Sequence, residues 1–119
     1  MADIEVTAAY GSVVEDEGQL FVGFAEGEEE DEGYVLFRQA VEGGPVWFEV
    51  TDEAFGAEDA VEAVLAGPVG LMIAIRPEKA GALGWASSVA VKIKPGADGR
   101  DEAFAALAGM LGPLWQAED

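Results

Sequence analysis

The chain has 119 residues, which fits one domain spanning residues 1 to 119; half of them are apolar, the net charge is −18, and cysteine and histidine are absent. This composition excludes disulfide bonds, zinc sites built on thiolate or imidazole, and a histidine general base, while the apolar half distinguishes the chain from a disordered acidic tail. The charge disfavours nucleic acid and anionic membrane as partners, because both carry phosphate groups that repel it.

Alternating apolar residues predict four strands in the first 50 residues. They cover 4–10, 20–25, 34–41 and 46–50. Residues 11–19 form an acidic connection between the first two strands. The acidic run from Glu26 to Gly33 predicts a hairpin tip between the next two, because like charges repel and glycine favours a turn.

The segment 58–65 fits both a helix and a strand. Acids at its start and apolar residues at 61, 64 and 65 favour a short helix, whereas apolar residues at 61, 63 and 65 suit a strand equally well. Two further strands are predicted at 69–76 and 85–94, with a loop at 77–84 between them. The second of these strands places Trp85 in the core.

The end of the chain predicts an amphipathic helix that Asp98 caps, with Asp101 and Glu102 near the positive end of the helix dipole. An apolar stripe extends from Phe104 to Trp115, although Gly112-Pro113 would kink or end the helix before Trp115. The elements together predict an α+β fold: a single antiparallel sheet of about six strands with a C-terminal helix packed on one face.

No residue pattern indicates catalysis or ion binding. The run 28–32 has consecutive acids where a calcium loop alternates its ligands, and the glycines at 81 and 84 lack the Lys-Ser/Thr of a phosphate-binding loop. An enzyme that uses a carboxylate pair is a minority alternative, because such a pair needs one acid in an apolar pocket. We therefore expect no enzyme activity, catalytic residue, metal or cofactor.

The acidic residues are concentrated at the start of the chain. The first 68 residues contain 18 of the 24 acids and one basic residue, Arg38, so this part carries a charge of −17 and the remaining 51 residues carry −1. The asymmetry predicts a negative surface that binds a basic protein. A purely solvated surface or adaptation to high salt is the alternative, although salt adaptation would spread the acids over all exposed elements.

The fourth predicted strand adds an aromatic candidate to this surface. Val46, Phe48 and Val50 share one face, which leaves Trp47 beside Glu49 on the other; burial of Trp47 in the core is an equal alternative. Acids would steer a cationic partner, and Trp47 would anchor it. The predicted partner-binding residues are Glu28, Glu29, Glu30, Asp31, Glu32, Trp47, Glu49, Asp52 and Glu53.

Several segments together resemble a known family. They are F-V-G-F-A at 21–25, an acidic loop, Y-V-L-F-R-Q-A at 34–40, F-E-V-x-D at 48–52 and the terminal segment 101–111. This succession resembles the immunity protein 10 family, whose G-G-x-x-x-E motif has here a counterpart with one extra residue, from Gly43-Gly44 to Glu49. The resemblance implies an α+β antidote encoded beside a toxin of a bacterial polymorphic toxin system, and it implies a strand at 58–65.

The sequence thus predicts an immunity protein that neutralises a cationic toxin by occlusion, without turnover. A small acidic chaperone for a secreted effector is the alternative, and such a chaperone would form a homodimer through the stripe from Phe104 to Trp115 if that stripe were exposed. The N-terminus lacks the basic start and apolar run of a signal peptide, and no segment has about 18 consecutive apolar residues, so we expect a cytoplasmic protein.

Overall fold

The computed structural model describes residues 3–27 and 32–117. Within these ranges the chain forms nine strands, one α-helix and two short 3-10 helices. The 3-10 helices span Pro77–Leu83 and Gly112–Leu114. The strands and the α-helix are β1 (Ile4–Asp16), β2 (Gln19–Ala25), β3 (Tyr34–Ala40), β4 (Trp47–Val50), β5 (Asp52–Glu58), β6 (Val61–Gly67), β7 (Gly70–Ile75), β8 (Ser88–Asp98), α1 (Arg100–Leu111) and β9 (Trp115–Ala117).

The described strands form one mixed sheet in the order β5-β4-β3-β2-β1-β8-β7-β6-β9. β1 pairs with β8, and β6 with β9, in parallel, whereas the other neighbours are antiparallel. The α+β class is correct, but the prediction of a single antiparallel sheet of about six strands is wrong. Parallel pairing joins strands that are distant in sequence, so local alternation of residue types does not reveal it.

β1 is the strand that joins the two halves of the sheet. Its first half, Ile4 to Ala8, pairs with β8, and its second half, Tyr10 to Asp16, pairs with β2. The prediction of a connection at 11–19 is therefore wrong, since the turn itself consists of Glu17 and Gly18. Both turn residues have positive φ, as a tight two-residue hairpin requires.

One core fills the space enclosed by the curved sheet and α1. Inward side chains of β2 to β4 and of β6 to β8 belong to the same buried cluster, in which Phe24, Phe37 and Phe48 are fully buried. α1 packs on β1 and β2 and buries Leu107 and Leu111. The predicted apolar stripe therefore contributes to the core of the same chain.

A glycine flanks α1 at each end. Gly99 precedes the helix with a φ of 79°, and a Cβ there would lie 2.0 Å from the carbonyl oxygen of Gly11. Asp98 is the last residue of β8 and makes no capping hydrogen bond, so the predicted cap is wrong. The helix ends at Leu111, where Gly112-Pro113 was expected to interrupt it.

The segment 58–65 lies mainly in β6, which begins at Val61. A bulge between Val61 and Ala63 shifts the pairing with β7. Val61 and Val64 are consequently both buried although they are three residues apart. The spacing that favoured a short helix is thus the signature of a bulged strand.

The segment before β8 differs from its prediction. Pro77–Leu83 is a 3-10 helix instead of a loop, and β8 begins at Ser88 instead of Trp85. Trp85 is 80% exposed, so its predicted place in the core is wrong.

No helix in the described part of the chain is both long and apolar enough to cross a membrane.

Candidate functional site

The strands from β1 to β5 present a second face that points away from the core, here called the outer face. The register between the strands determines which residues share this face: Gly23 lies beside Leu36, Leu36 beside Glu49, and Glu49 beside Gly56. Polar, aromatic and small residues share this face. They include Tyr10, Ser12, Val14, Phe21, Gly23, Tyr34, Leu36, Arg38, Trp47, Glu49 and Gly56.

Glu49 is buried on this outer face, with 5% of its surface exposed. The indole N–H of Trp47 donates to its Oε1 at 2.7 Å, and the hydroxyl of Tyr34 donates to its Oε2. Burial of a carboxylate is costly unless hydrogen bonds satisfy it, and each oxygen here accepts one. Glu49 therefore fixes two aromatic side chains that lie on either side of it.

Gly56 provides the space for this arrangement. A Cβ at this position would lie 2.7 Å from Cζ2 of Trp47 and 2.8 Å from Cβ of Glu49. Both distances are shorter than a van der Waals contact allows. Glycine in β5 therefore lets the indole ring and the side-chain stem of Glu49 pack directly against the neighbouring strand.

Tyr34 is held as a hydrogen-bond donor. Burial, with the hydrogen bond to the carboxylate of Glu49 and its negative charge, raises the pKa of Tyr34 above its ordinary value of 10.0. The phenol consequently keeps its proton well into the alkaline range. It does not have the properties of a general base at neutral pH.

Arg38 covers the ring of Trp47, with its guanidinium carbon 5.2 Å from the ring centroid. A cleft of about 360 Å³ adjoins this pair and is lined by Gln39 and Glu58 as well. Within the residues described, no carboxylate lies within ion-pair distance of Arg38. The ring of Trp47 is thus oriented both by a cation and by its hydrogen bond to Glu49.

The structure separates the predicted partner-binding residues. Glu28, Glu29, Glu30 and Asp31 lie outside the described residues. Glu32, Asp52 and Glu53 lie at one end of the outer face, here called the loop end, where the backbone N–H of Thr51 donates to the carbonyl of Tyr34 at 2.9 Å. Trp47 begins β4 at the opposite end, and Glu49 lies between them.

That opposite end, the turn end, carries acids that the sequence interpretation did not select. The N–H of Val41 donates to the carbonyl of Gly18 at 2.9 Å, which joins the β1–β2 turn to the β3–β4 connection. Glu58 pairs with Trp47 at the same end. The sequence signal that could have identified this end is the presence of acids next to the tight turns. These acids are Glu15, Asp16, Glu17, Glu42, Glu58 and Asp59.

Glu26 has a structural role at the loop end. Its carboxylate accepts the N–H of Gly33 at 2.9 Å and that of Thr7 at 3.1 Å. These two hydrogen bonds, assisted by the charge of Lys94, hold the pKa of Glu26 below its ordinary value. The side chain thus ties the β2–β3 connection to β1.

Among residues 3–27 and 32–117, no group of three or more acidic side chains is arranged to hold a metal ion. Comparisons of the chain with protein-family models, curated proteins and solved structures find no match. The geometry of the outer face is therefore the basis on which a function can be inferred.

Proposed function

We propose that this protein is an immunity protein that binds a cationic bacterial toxin in the cytoplasm and neutralises it by occlusion. One observation carries the proposal: the outer face presents aromatic side chains, fixed by the buried carboxylate of Glu49, between two groups of exposed acids. Such a face combines an anchor for binding with a negative rim. Three of the segments that resemble the immunity protein 10 family, 21–25, 34–40 and 48–52, lie in or next to β2, β3 and β4 of this face, which supports a toxin as the class of partner.

The exposed acids of the two ends lack compensating charges. The ion pairs found among the described residues join Lys92 to Glu5 and Arg100 to Asp101, and neither includes an acid of the turn end or the loop end. Uncompensated carboxylates create a negative potential that attracts a cationic protein. Attraction of this kind raises association rates by about 10- to 1,000-fold at low ionic strength.

The aromatic side chains supply most of the binding energy that keeps the complex together. Trp47 is held by Glu49 and covered by Arg38, so little conformational entropy is lost when a partner packs against it. Tryptophan and tyrosine are the side chains that most often dominate binding energy at protein interfaces. The acids therefore govern the association rate, and Trp47 and Tyr34 govern the dissociation rate.

The packing of α1 gives no support to the chaperone alternative. A chaperone of that kind would dimerise through the apolar stripe, but Leu107 and Leu111 of the stripe are buried in the core. Phe104 makes edge contacts with Phe24 and Trp115, with ring centroids 6.0 and 5.5 Å apart. The apolar stripe therefore packs against other residues of the same chain.

The electrostatic part of the proposal can be tested by stopped-flow mixing with the toxin domain encoded beside the gene of this chain. Asp52→Asn with Glu53→Gln should slow association several-fold at low salt and have little effect at high salt. The matched control is Glu62→Gln with Glu102→Gln, which removes the same charge from exposed sites on β6 and α1. Equal slowing by both pairs would contradict a directed surface.

The occlusion itself requires a toxicity assay and a binding assay. One equivalent of this protein should abolish the activity of the toxin domain, and Trp47→Ala should raise the dissociation rate at least about tenfold, as expected for an anchoring tryptophan. Absence of a complex at low salt would refute the immunity function for that pair. A complex that leaves the toxin fully active would refute occlusion.

A further inference from the structure

A second cleft, of about 410 Å³, adjoins the loop end, and none of the residues named for the outer face line it. It opens where the β4–β5 edge of the sheet meets the segment that follows the first 3-10 helix. Val50 and Leu83 contribute apolar walls, and Phe55, Trp85, Thr51 and Asp3 complete the lining. Trp85 and Phe55 are not part of the outer face, so substitution of Trp85 tests the cleft separately.

Two aromatic side chains of this cleft are exposed to solvent. Trp85 is 80% exposed and Phe55 is 51% exposed. The indole ring of Trp85 lies over Gly81. A Cβ added to Gly81 would lie 3.3 Å from the ring. A tryptophan ring left in water contributes almost no hydrophobic stabilisation to the fold.

The backbone at the cleft is also in an unfavourable conformation. Trp85 has a φ of 67° and Thr51 a φ of 65°, and both lie in the left-handed region that disfavours side chains with a Cβ. For threonine, which is β-branched, such a φ is a genuine outlier. Conformations of this kind persist where surrounding contacts enforce them, and they are concentrated at binding sites.

The charges at the cleft are negative. Asp3 lines it, Asp52 and Glu53 directly follow Thr51 in the chain, and no lysine or arginine is among the lining residues. A guanidinium group stacks on aromatic rings and pairs with carboxylates, whereas an ammonium group is more strongly hydrated and stacks less well. We propose that this cleft binds an arginine side chain presented by an exposed segment of another protein.

The test uses a capped tri-arginine peptide as the probe and the full chain labelled with ¹⁵N. Titration should shift the indole N–H resonance of Trp85 in a saturable manner, with weaker binding of tri-lysine and no binding of tri-citrulline, which keeps the shape of arginine without its charge. A tri-arginine titration that does not saturate would overturn the proposal. Equal shifts with tri-citrulline would overturn it as well, because they would show an apolar site that ignores charge.

Variants assign the binding to the cleft. Because Trp85→Gly removes the indole N–H, binding by the variants is followed through the backbone amide resonances of the cleft. Trp85→Gly should weaken tri-arginine binding about tenfold, the equivalent of about 1.4 kcal/mol, while Val69→Ser, at a distant residue that is 73% exposed, should leave it unchanged. Glycine adopts a positive φ freely, so Trp85→Gly should not lower the melting temperature. A clear loss of melting temperature would show that the ring serves the fold, and undiminished tri-arginine binding would show that it does not form the site; either result would overturn the proposal.

Discussion

At the scale of single residues, Glu49 determines the character of the outer face. Removal of a carboxylate from water is costly, and a buried acid adds little stability by itself. Here it accepts one hydrogen bond from the indole of Trp47 and one from the hydroxyl of Tyr34, and neither of these two groups donates elsewhere among the described hydrogen bonds. The acid thus orients two large side chains on a surface where apolar packing alone would leave their rotamers free.

Substitution of Glu49 separates its hydrogen bonds from its charge. Glu49→Ala should lower the free energy of unfolding by about 1–3 kcal/mol, since two partly buried donors lose their acceptor. Glu49→Gln should be nearly neutral, because the amide oxygen can accept from Trp47 while the amide N–H donates to the hydroxyl of Tyr34, which can rotate. Urea denaturation of both variants measures the difference. A Gln variant as unstable as the Ala variant would show that the negative charge itself is required.

At the scale of secondary structure elements, two strand glycines allow a matched comparison. Gly56→Ala places a Cβ 2.7 Å from Trp47 and should destabilise the protein by about 1–3 kcal/mol through forced repacking. Gly23→Ala meets its nearest atom, the carbonyl oxygen of Val35, at 3.4 Å, which is an ordinary contact. We expect Gly23→Ala to be neutral or slightly stabilising, because glycine weakens a strand. Thermal denaturation that ranks the two variants equally would contradict the role of Gly56.

The link between the β2–β3 connection and β1 predicts a pH dependence. The N–H groups of Gly33 and Thr7 lower the pKa of Glu26 below 4.5. A carboxyl group of this kind contributes stability above its unfolded pKa and loses it as the pH falls through the folded pKa. The difference in unfolding free energy between wild type and Glu26→Gln should therefore be largest near neutral pH and shrink below pH 4.5.

Urea denaturation over a series of pH values measures this difference. Glu62→Gln is the control, since it removes one charge from an exposed position on β6. If Glu62→Gln gave the same trend, the pH dependence would reflect net charge rather than the hydrogen bonds of Glu26.

At the scale of the whole molecule, the net charge of −18 opposes folding through self-repulsion. The ion pairs of the described residues, Lys92 with Glu5 and Arg100 with Asp101, each include a largely exposed side chain and contribute little. Sodium chloride should raise the melting temperature, because the Debye length falls from about 10 Å at 0.1 M salt to about 3 Å at 1 M. A melting temperature that stays constant or falls with salt would contradict this expectation.

Prediction from the sequence succeeded where burial alternates along one element. β2, β3, β4 and β7 were placed within a few residues, since their neighbours across the sheet impose the same period of two. It left 58–65 undecided between helix and strand, because the bulge after Val61 in β6 imitates helical spacing. It failed in the second half of β1, where Val13 and Val14 are exposed and the alternation disappears.

The candidate site was predictable only in part. The sequence placed Trp47 and Glu49 on one face, because strand geometry alternates side chains. The contact of Tyr34 with Glu49 depends on the register between β3 and β4, and the space beside them depends on Gly56 in the next strand. Register between strands is a property of the assembled sheet, and no single segment contains it.

The sequence by itself determined the α+β class, the strong negative charge of the first 68 residues and the absence of histidine and cysteine chemistry. These follow from composition and local periodicity. Tertiary structure alone decided that nine of the described acids of that region lie at the two ends of the outer face, that Glu49 is buried and that Trp85 is exposed. The physical reason is that burial and proximity depend on which strands become neighbours in the sheet. β1 brings the two halves of the sheet together, because one half of it pairs with β2 and the other with β8.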